Sequence, residues 1–179
     1  MDILEFFISS HDVWYQTVDG IFPLKVGSPI IPIIIDRLEE FYPRAYEALR
    51  SCYAKSKANV PYFNFLIVRR FCKCNFGSLD HTRNDLRGSF FNVERVSCPL
   101  LGECPYENVI CMPKADAHLS GAEMRVMGLV CEGKSNIDIA NELCLSQNTV
   151  KRHVSSAYAK TRSRSRADFM RFAIDNDIF

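Results

Sequence analysis

The sequence predicts a mainly α-helical protein of the α+β class, in which a mixed α/β N-terminal domain with a cysteine-rich module precedes a C-terminal four-helix bundle. Signals that start helices follow one another closely in the last third of the chain. Aromatic and branched residues are concentrated in residues 1–70, and five of the eight cysteines lie within residues 71–113. We therefore divide the chain into residues 1–70, a cysteine-rich module over 71–113, a linker over 114–118 and a helical domain over 119–179.

Residues 1–70 contain two segments with a recognisable pattern. From Pro29 to about Lys57, apolar residues recur at helical spacing and predict a helix that is interrupted near Pro43. Phe63–Arg69 is rich in aromatic and branched residues, which predicts a strand. The aromatic side chains of this region are expected to form a core, and a ligand pocket is the alternative.

Composition restricts the class of protein. The formal net charge is +1, so a basic segment is a local feature that acidic residues balance elsewhere. No apolar run reaches the roughly 18 residues of a membrane-spanning helix, and Ile30–Ile35 is interrupted by Pro32. The chain starts Met-Asp-Ile-Leu-Glu, without the basic lead of a secretory signal. We expect a cytoplasmic protein without a membrane partner, whose cysteines are mostly reduced.

The cysteine-rich module contains five thiols: Cys72, Cys74, Cys98, Cys104 and Cys111. Thiolates are soft ligands that favour zinc or an iron–sulfur cluster, and four of them complete a tetrahedral structural site. Proline and glycine in and beside the Cys98–Cys104 segment favour a tight loop around a metal. Buried, unreactive thiols are the alternative, because free cysteine is among the most buried residue types.

The expected metal ligands are four of these thiols: Cys74, Cys98, Cys104 and Cys111. Cys72 is the alternate to Cys74, because the two would point to opposite sides of an extended segment. Two histidines, His81 and His118, are further candidates. Zinc would make the module structural, whereas an iron–sulfur cluster would make the protein a redox or oxygen sensor, and the pattern fits both.

Three helices are predicted from start and stop signals in the last third of the chain. Ser120 with Glu123 three residues later forms a capping box, and Gly133 ends the first helix. Ser135 starts a short second helix, and Ser146 starts a third. We expect the second helix to bury a small apolar set: Ile137, Ala140 and either Leu143 or Cys144. Two short helices joined by so tight a turn have the geometry of a helix-turn-helix.

The third helix has an apolar face and a basic face. Val150, Val154 and Ala157 recur at i, i+4 and i+7, so they are expected to face inward. The opposite face carries polar and basic side chains: Asn148, Lys151, Arg152 and Ser155. Between Lys151 and Arg166 the chain has six basic residues and no acidic one. Such a helix fits the major groove of DNA, and a basic face that is only solvated is the alternative.

Because of these caps and helix faces, the segment Leu119–Ile174 resembles the DNA-binding domain of the LuxR/NarL family of bacterial transcription regulators. The matching positions are Leu119-Ser120, Glu123, Gly133, Ser135-Asn136, Ile139-Ala140, Leu143, Leu145-Ser146, Thr149-Val150-Lys151, His153-Val154, Lys160 and Ser165-Arg166-Ala167. The run Thr161–Arg164 departs from the family, which more often has a small apolar turn there. The resemblance implies a fourth helix, at about Arg166–Ile174, that packs on the unit and mediates dimerisation.

The resemblance also implies roles for side chains of the third helix. It places base contacts at three positions, Lys151, Arg152 and Ser155. A second set is expected to contact phosphates: Thr149, His153 and Lys160. Asn148 shares the exposed face with the base-contacting residues, so it belongs to the same expected DNA-binding set.

The resulting prediction is a dimeric, sequence-specific DNA-binding transcription regulator that reads the major groove with the helix 146–160. Its cysteines would stabilise it through a metal or sense redox state, and its partners would be double-stranded DNA, a second copy and RNA polymerase. The alternative is a metal-binding adaptor or enzyme that uses the helix-turn-helix only as an interaction module. We expect no enzyme, because no nucleophilic triad, phosphate-cradling glycine loop or pair of carboxylates stands out. A phosphorylated receiver domain is not expected either, because no paired acidic residues follow an opening strand.

Overall fold

The computed structural model describes residues 3–79, 84–87, 90–176 and 178–179. The chain forms two compact units, Met1–Ala115 and Asp116–Phe179. The cysteine-rich residues 71–113 belong to the same compact unit as residues 1–70. Within the described ranges, no helix is both long enough and apolar enough to cross a membrane.

The N-terminal unit opens with a three-stranded antiparallel sheet. Its strands β1 (Ile3–Ser9), β2 (Asp12–Thr17) and β3 (Gly20–Pro23) are neighbours in sequence order. Ser10 and His11 join β1 to β2 with positive φ angles of 50° and 68°, which is the backbone twist of a two-residue hairpin turn. Alternate side chains of β2 are buried, so one face of the sheet contributes to the core.

Three helices follow the sheet: α1 (Ile30–Phe41), α2 (Pro43–Cys52) and α3 (Val60–Asn75). A 3-10 turn at Ala54–Ser56 precedes α3. The predicted interruption near Pro43 is confirmed, since α1 ends before Tyr42 and Pro43 lies in the first turn of α2. A proline is tolerated in that first turn because the N–H it lacks would have no partner within the helix.

The strand predicted at Phe63–Arg69 is wrong, because these residues lie inside α3. Asn59 caps this helix by accepting a hydrogen bond from the Tyr62 N–H, and Pro61 lies in its first turn. The buried side chains recur at helical spacing: Phe63, Ile67, Val68, Phe71, Cys72 and Asn75. Packing of this face into the core outweighs the preference of aromatic and branched residues for strands.

Aromatic rings fill the core of the N-terminal unit, and Phe6, Phe41 and Phe63 contribute to it from residues 1–70, as expected. The Phe71 ring centroid lies 4.8 Å from that of Phe91 and 6.0 Å from that of Phe76. Two short strands, β4 (Leu86–Arg87) and β5 (Phe90–Phe91), pair antiparallel beside them. The Tyr42 hydroxyl accepts a 2.9 Å hydrogen bond from the Phe91 N–H. Burial raises the pKa of Tyr42, so this hydroxyl stays protonated and neutral in the core.

The C-terminal unit consists of four helices: α4 (Gly121–Cys131), α5 (Asn136–Glu142), α6 (Gln147–Thr161) and α7 (Arg166–Asp175). One cluster of buried side chains joins them: Val126, Met127, Val130, Ile139, Ala140, Val150, Ala157, Phe169 and Ala173. This arrangement agrees with the predicted four-helix bundle, and the fourth helix begins at Arg166 as expected.

The buried face of α5 differs from the prediction. Ile137 is 54% exposed and Cys144 is also exposed, so neither joins the core. Ile139 is fully buried beside Ala140, and Leu143 packs against the edge of the cluster. The apolar spacing of so short a helix allows either face to turn inward, and packing against α4 and α6 selects the face with Ile139.

Candidate nucleic-acid interface

Each helix of the C-terminal unit begins at a serine whose hydroxyl caps its first turn. Ser120, Ser135 and Ser146 are the caps predicted from the sequence, and Ser165 caps α7 in the same way. Each hydroxyl accepts a hydrogen bond from a backbone N–H three residues further on. The side chain of Asp138 completes a second capping box with Ser135. Because these bonds satisfy N–H groups that a helix leaves unpaired, the helix starts are determined locally.

Backbone hydrogen bonds close the turn between α5 and α6. The Leu145 N–H donates to the Ala140 carbonyl at 2.9 Å, and the Cys144 N–H donates to the Asn141 carbonyl at 3.4 Å. This pairing is a Schellman motif, in which the turn residue is usually glycine. Cys144 occupies that position with a φ of 54°, and Ser146 starts α6 two residues later. The predicted tight turn of a helix-turn-helix is therefore present.

One face of α6 lies in the core and the opposite face lies in solvent. Val150 and Ala157 are fully buried, and Val154 packs against the same cluster, as predicted. Four predicted contact residues are exposed on the opposite face: Asn148, Lys151, Arg152 and Ser155. Thr149 and His153, four residues apart, are half-buried along one edge of that face. A surface suited to DNA therefore lies on a helix that the core holds in place.

The cations of the exposed face have no internal partner. Within the described ranges, the side chains of Lys151 and Arg152 neither hydrogen-bond to another group nor pair with a carboxylate. The Thr149 hydroxyl, in contrast, shares a 2.9 Å hydrogen bond with the Ser146 hydroxyl. An exposed cation without an internal contact can approach a phosphate or a base edge without first breaking a hydrogen bond.

Lys160 is held within the C-terminal unit. Its ammonium lies 2.7 Å from Glu123 Oε2 and donates to the His118 carbonyl at 3.1 Å. Glu123 Oε1 accepts a 2.6 Å hydrogen bond from the Ser156 hydroxyl, and Oε2 accepts a 2.7 Å bond from the Ser120 N–H. Through these bonds the carboxylate of Glu123, which is only 4% exposed, ties the start of α4 to α6. Contact of Lys160 with a phosphate stays a prediction.

The environment of Glu123 determines its charge. Burial raises the pKa of this carboxyl, but hydrogen bonds from Lys160, Ser156 and Ser120 outweigh burial and lower the pKa from 4.5 to about 2. The group is therefore a carboxylate at neutral pH. Sequence reasoning identified Glu123 only as part of a cap, because Ser156 and Lys160 are 33 and 37 residues away and no spacing rule connects them.

Arg166 also acts within the unit. Its guanidinium donates to the Val130 carbonyl in the last turn of α4 and to the Lys134 carbonyl in the loop before α5. Arg166 thereby links the start of α7 to the loop between α4 and α5. Of the six basic residues in this stretch, four are exposed: Lys151, Arg152, Arg162 and Arg164. The positive surface is therefore smaller than a count along the sequence indicates.

The polar run Thr161–Arg164, where the sequence departs from the family pattern, forms a closed turn. Arg162 is left-handed with a φ of 51°, and the Ser163 N–H donates to the Tyr158 carbonyl at 3.0 Å. Thr161 is buried, and its hydroxyl donates to the Ala157 carbonyl at 2.8 Å. The run thus ends α6 with backbone bonds like those that close α5.

The four thiols predicted as metal ligands line a single cavity of about 170 Å³: Cys74, Cys98, Cys104 and Cys111. Cys72 is fully buried in α3 and is not part of the lining. His118 is exposed and lies 3.4 Å from Asp116, while His81 lies outside the described residues. Among the residues that the structure describes, no three histidine, cysteine or acidic side chains already stand close enough to hold a metal ion.

A helix-turn-helix whose second helix exposes unpaired basic and amide side chains defines the class of helical DNA-binding domains. Residues 117–173 match the family model described as bacterial regulatory proteins, luxR family. These residues therefore form a helix-turn-helix domain of the luxR family, as the sequence predicted.

The comparisons with individual proteins cover a limited part of the chain. A protein of Cyanophora paradoxa named Probable transcriptional regulator ycf29 is 38% identical over 56 residues. The match covers 31% of this chain and 27% of that relative, so the chain spans only about a quarter of the relative's length. No solved structure matches the chain significantly.

Proposed function

We propose that this protein is a sequence-specific DNA-binding transcription regulator that reads the major groove with α6. The observation that carries the proposal is the exposed stripe of Asn148, Lys151, Arg152 and Ser155 on a helix whose other face is buried. A helix anchored in this way enters a groove as a rigid element, so its side chains meet base edges at defined positions. The luxR-family match of residues 117–173 supports the same function.

Within this proposal, the side chains of α6 divide into two sets. Lys151, Arg152 and Ser155 contact base edges, with Asn148 beside them. Thr149, His153 and Lys160 contact phosphates. Arg152 is the principal determinant of sequence preference, because a guanidinium can donate two parallel hydrogen bonds to O6 and N7 of guanine. Lys160 differs from the others because it also neutralises the buried Glu123.

The proposed partners, besides double-stranded DNA, are a second copy of the chain and RNA polymerase. We propose that α7 mediates the homodimer, which is the role that the family resemblance implies for the fourth helix, and that Ile174, 77% exposed on this helix, lies in the contact. A dimer would place two copies of α6 on two half-sites of the DNA. RNA polymerase is included because a transcription regulator acts on the synthesis of RNA.

The test is the Arg152→Ala variant of the full-length protein, with Arg44→Ala as a matched control. Both changes remove one exposed cation, but Arg44 lies in the N-terminal unit. Arg152→Ala is expected to cost about 1–3 kcal/mol of binding on the preferred sequence and little on random DNA. Arg44→Ala is expected to change neither. Selection of bound sequences from a random pool, followed by titration at several salt concentrations, measures both effects.

Two outcomes would contradict the proposal. The first is an Arg152→Ala protein that keeps the sequence preference of the wild type, which would mean that α6 does not read bases. The second is a folded wild-type protein that binds no duplex, or binds without the salt dependence of about three phosphate contacts per protomer. That second result would favour an adaptor or enzyme that uses the helix-turn-helix to contact other proteins.

A further inference from the structure

The segment between β5 and α4 is ordered without regular secondary structure. Residues 92–120 contain no helix and no strand. Leu100 and Leu101 are 55% and 59% exposed, whereas Ile110 is 1% exposed. Residues 98–104 are exposed or half-buried throughout, so burial offsets little of the conformational entropy that this part of the segment loses on ordering. An additional interaction there would stabilise it.

Part of that segment is a series of tight turns around two cysteines. The Leu101 N–H donates to the Cys98 carbonyl at 3.1 Å, and the Cys104 N–H donates to the Leu100 carbonyl at 3.0 Å. Gly102 lies between them with a φ of 86°, which a residue with a side chain rarely adopts. These turns keep the thiols of Cys98 and Cys104 on one short loop.

A buried asparagine brings the other two cysteines together. Asn75 is 0% exposed; its Nδ2 donates to the Ile110 carbonyl and its Oδ1 accepts from the Met112 N–H, both at 2.8 Å. The residue next to Cys74 is thereby bonded to both neighbours of Cys111. Cys74 at the end of α3 and Cys111 in the turn segment therefore lie side by side.

These four cysteines line one cavity of about 170 Å³, and the other four of the chain do not. The lining between them is largely apolar: Pro99, Leu100, Leu101 and Ile110. Three cations, Arg70, Lys73 and Arg95, also border the cavity, against one acidic residue, Glu107. Four thiolates around a divalent ion carry a net charge of two negatives, so cations beside an apolar lining suit such a group.

We propose that Cys74, Cys98, Cys104 and Cys111 bind a soft metal centre, either zinc or an iron–sulfur cluster. Four thiolates are the complete ligand set of a structural site for either. Binding deprotonates the thiols and draws the Cys98–Cys104 loop towards Cys74 and Cys111, since no three of these thiols are at coordinating spacing beforehand. The centre thus cross-links the end of α3 to the turn segment and stabilises the loop of residues 98–104.

The test is metal analysis of the full-length protein, expressed with zinc and iron available and purified without air or chelator. One firmly held zinc per chain supports the proposal, as do iron and acid-labile sulfide in equal amounts with visible absorption. Cys98→Ser and Cys104→Ser are expected to lose most of the metal. Cys52→Ser is the matched control, because Cys52 is a half-buried thiol of the same unit that lies outside the cavity lining.

A second measurement does not depend on the folding of the variants. Removal of the metal from wild-type protein by a chelator is expected to make about four more thiols reactive per chain and to lower the thermal midpoint. A folded, metal-free wild type whose cysteines are all reduced would overturn the proposal, as would disulfides among these four cysteines. Loss of metal from Cys52→Ser to the same extent as from Cys98→Ser would overturn it as well.

Discussion

The helices of the C-terminal unit and those of the N-terminal unit begin in different ways. All four C-terminal helices start at a serine whose hydroxyl accepts a hydrogen bond in the first turn. Among the described residues of the N-terminal unit, Pro29 and Tyr42 precede α1 and α2 without a side-chain cap, and Asn59 alone caps an α-helix. The N-terminal unit relies instead on contacts among aromatic rings that are distant in sequence. One unit is thus specified by local signals and the other by packing.

The comparison can be tested first by removing one ring from each core. Phe71 and Phe169 are both 0% exposed, one in each unit. Phe71→Ala and Phe169→Ala are each expected to cost about 3–5 kcal/mol of unfolding free energy, because a large cavity remains. Hydrogen exchange should show lost protection in the unit that carries the change. Loss of protection spread equally over both units in both variants would mean that the two do not fold as separate cores.

A smaller effect is expected from the buried carboxylate that joins α4 to α6. Glu123→Ala removes the partner of Lys160, Ser156 and the Ser120 N–H, and should cost about 2 kcal/mol. Denaturation of Glu123→Ala, Lys160→Ala and the double variant gives the coupling between the two charges. If the two single effects simply add, the 2.7 Å ion pair does not stabilise the unit.

Acid should remove the same contribution gradually. The pKa of Glu123 is lowered from 4.5 to about 2 in the folded protein, so its contribution is complete above pH 4.5. The contribution is lost as the pH falls towards 2, because the unfolded chain takes up the proton first. The difference in unfolding free energy between wild type and Glu123→Gln should therefore shrink over this range. A difference that stays constant from pH 6 to pH 2.5 would contradict the lowered pKa.

The smallest expected effect is a gain at the turn of the helix-turn-helix. Cys144 adopts a φ of 54°, a left-handed conformation that is disfavoured for residues other than glycine. Cys144→Gly relieves this strain but makes the unfolded chain more flexible, so a net gain of about 0.5–1 kcal/mol is expected. Chemical denaturation measures the change in unfolding free energy. Arg162→Gly, at an exposed residue that is also left-handed, provides a second test. Destabilisation by both changes would show that neither turn is strained.

The accuracy of sequence reasoning follows the same division between local and distant interactions. The serine caps and the inward face of α6 were predicted because each depends on residues within one or two turns of each other. The prediction of a strand at Phe63–Arg69 was wrong. The preference of aromatic and branched residues for strands stabilises this segment less than the cap at Asn59 and the burial of one helix face do. Ile137 was misplaced because two turns of helix allow more than one apolar face.

Hydrogen bonds and residue spacing within single helices decide three features of the C-terminal unit, so the order of amino acids is enough to predict them. These features are where the helices start, which face of α6 is buried and which residues form its basic outer face. Which basic residues remain free depends instead on contacts between distant parts of the unit. Lys160 and Arg166 look equivalent to Lys151 and Arg152 along the chain, yet both are held within the unit. Glu123 binds Lys160, and the carbonyls of Val130 and Lys134 bind Arg166. The partners lie more than 30 residues away, so folding alone brings them together.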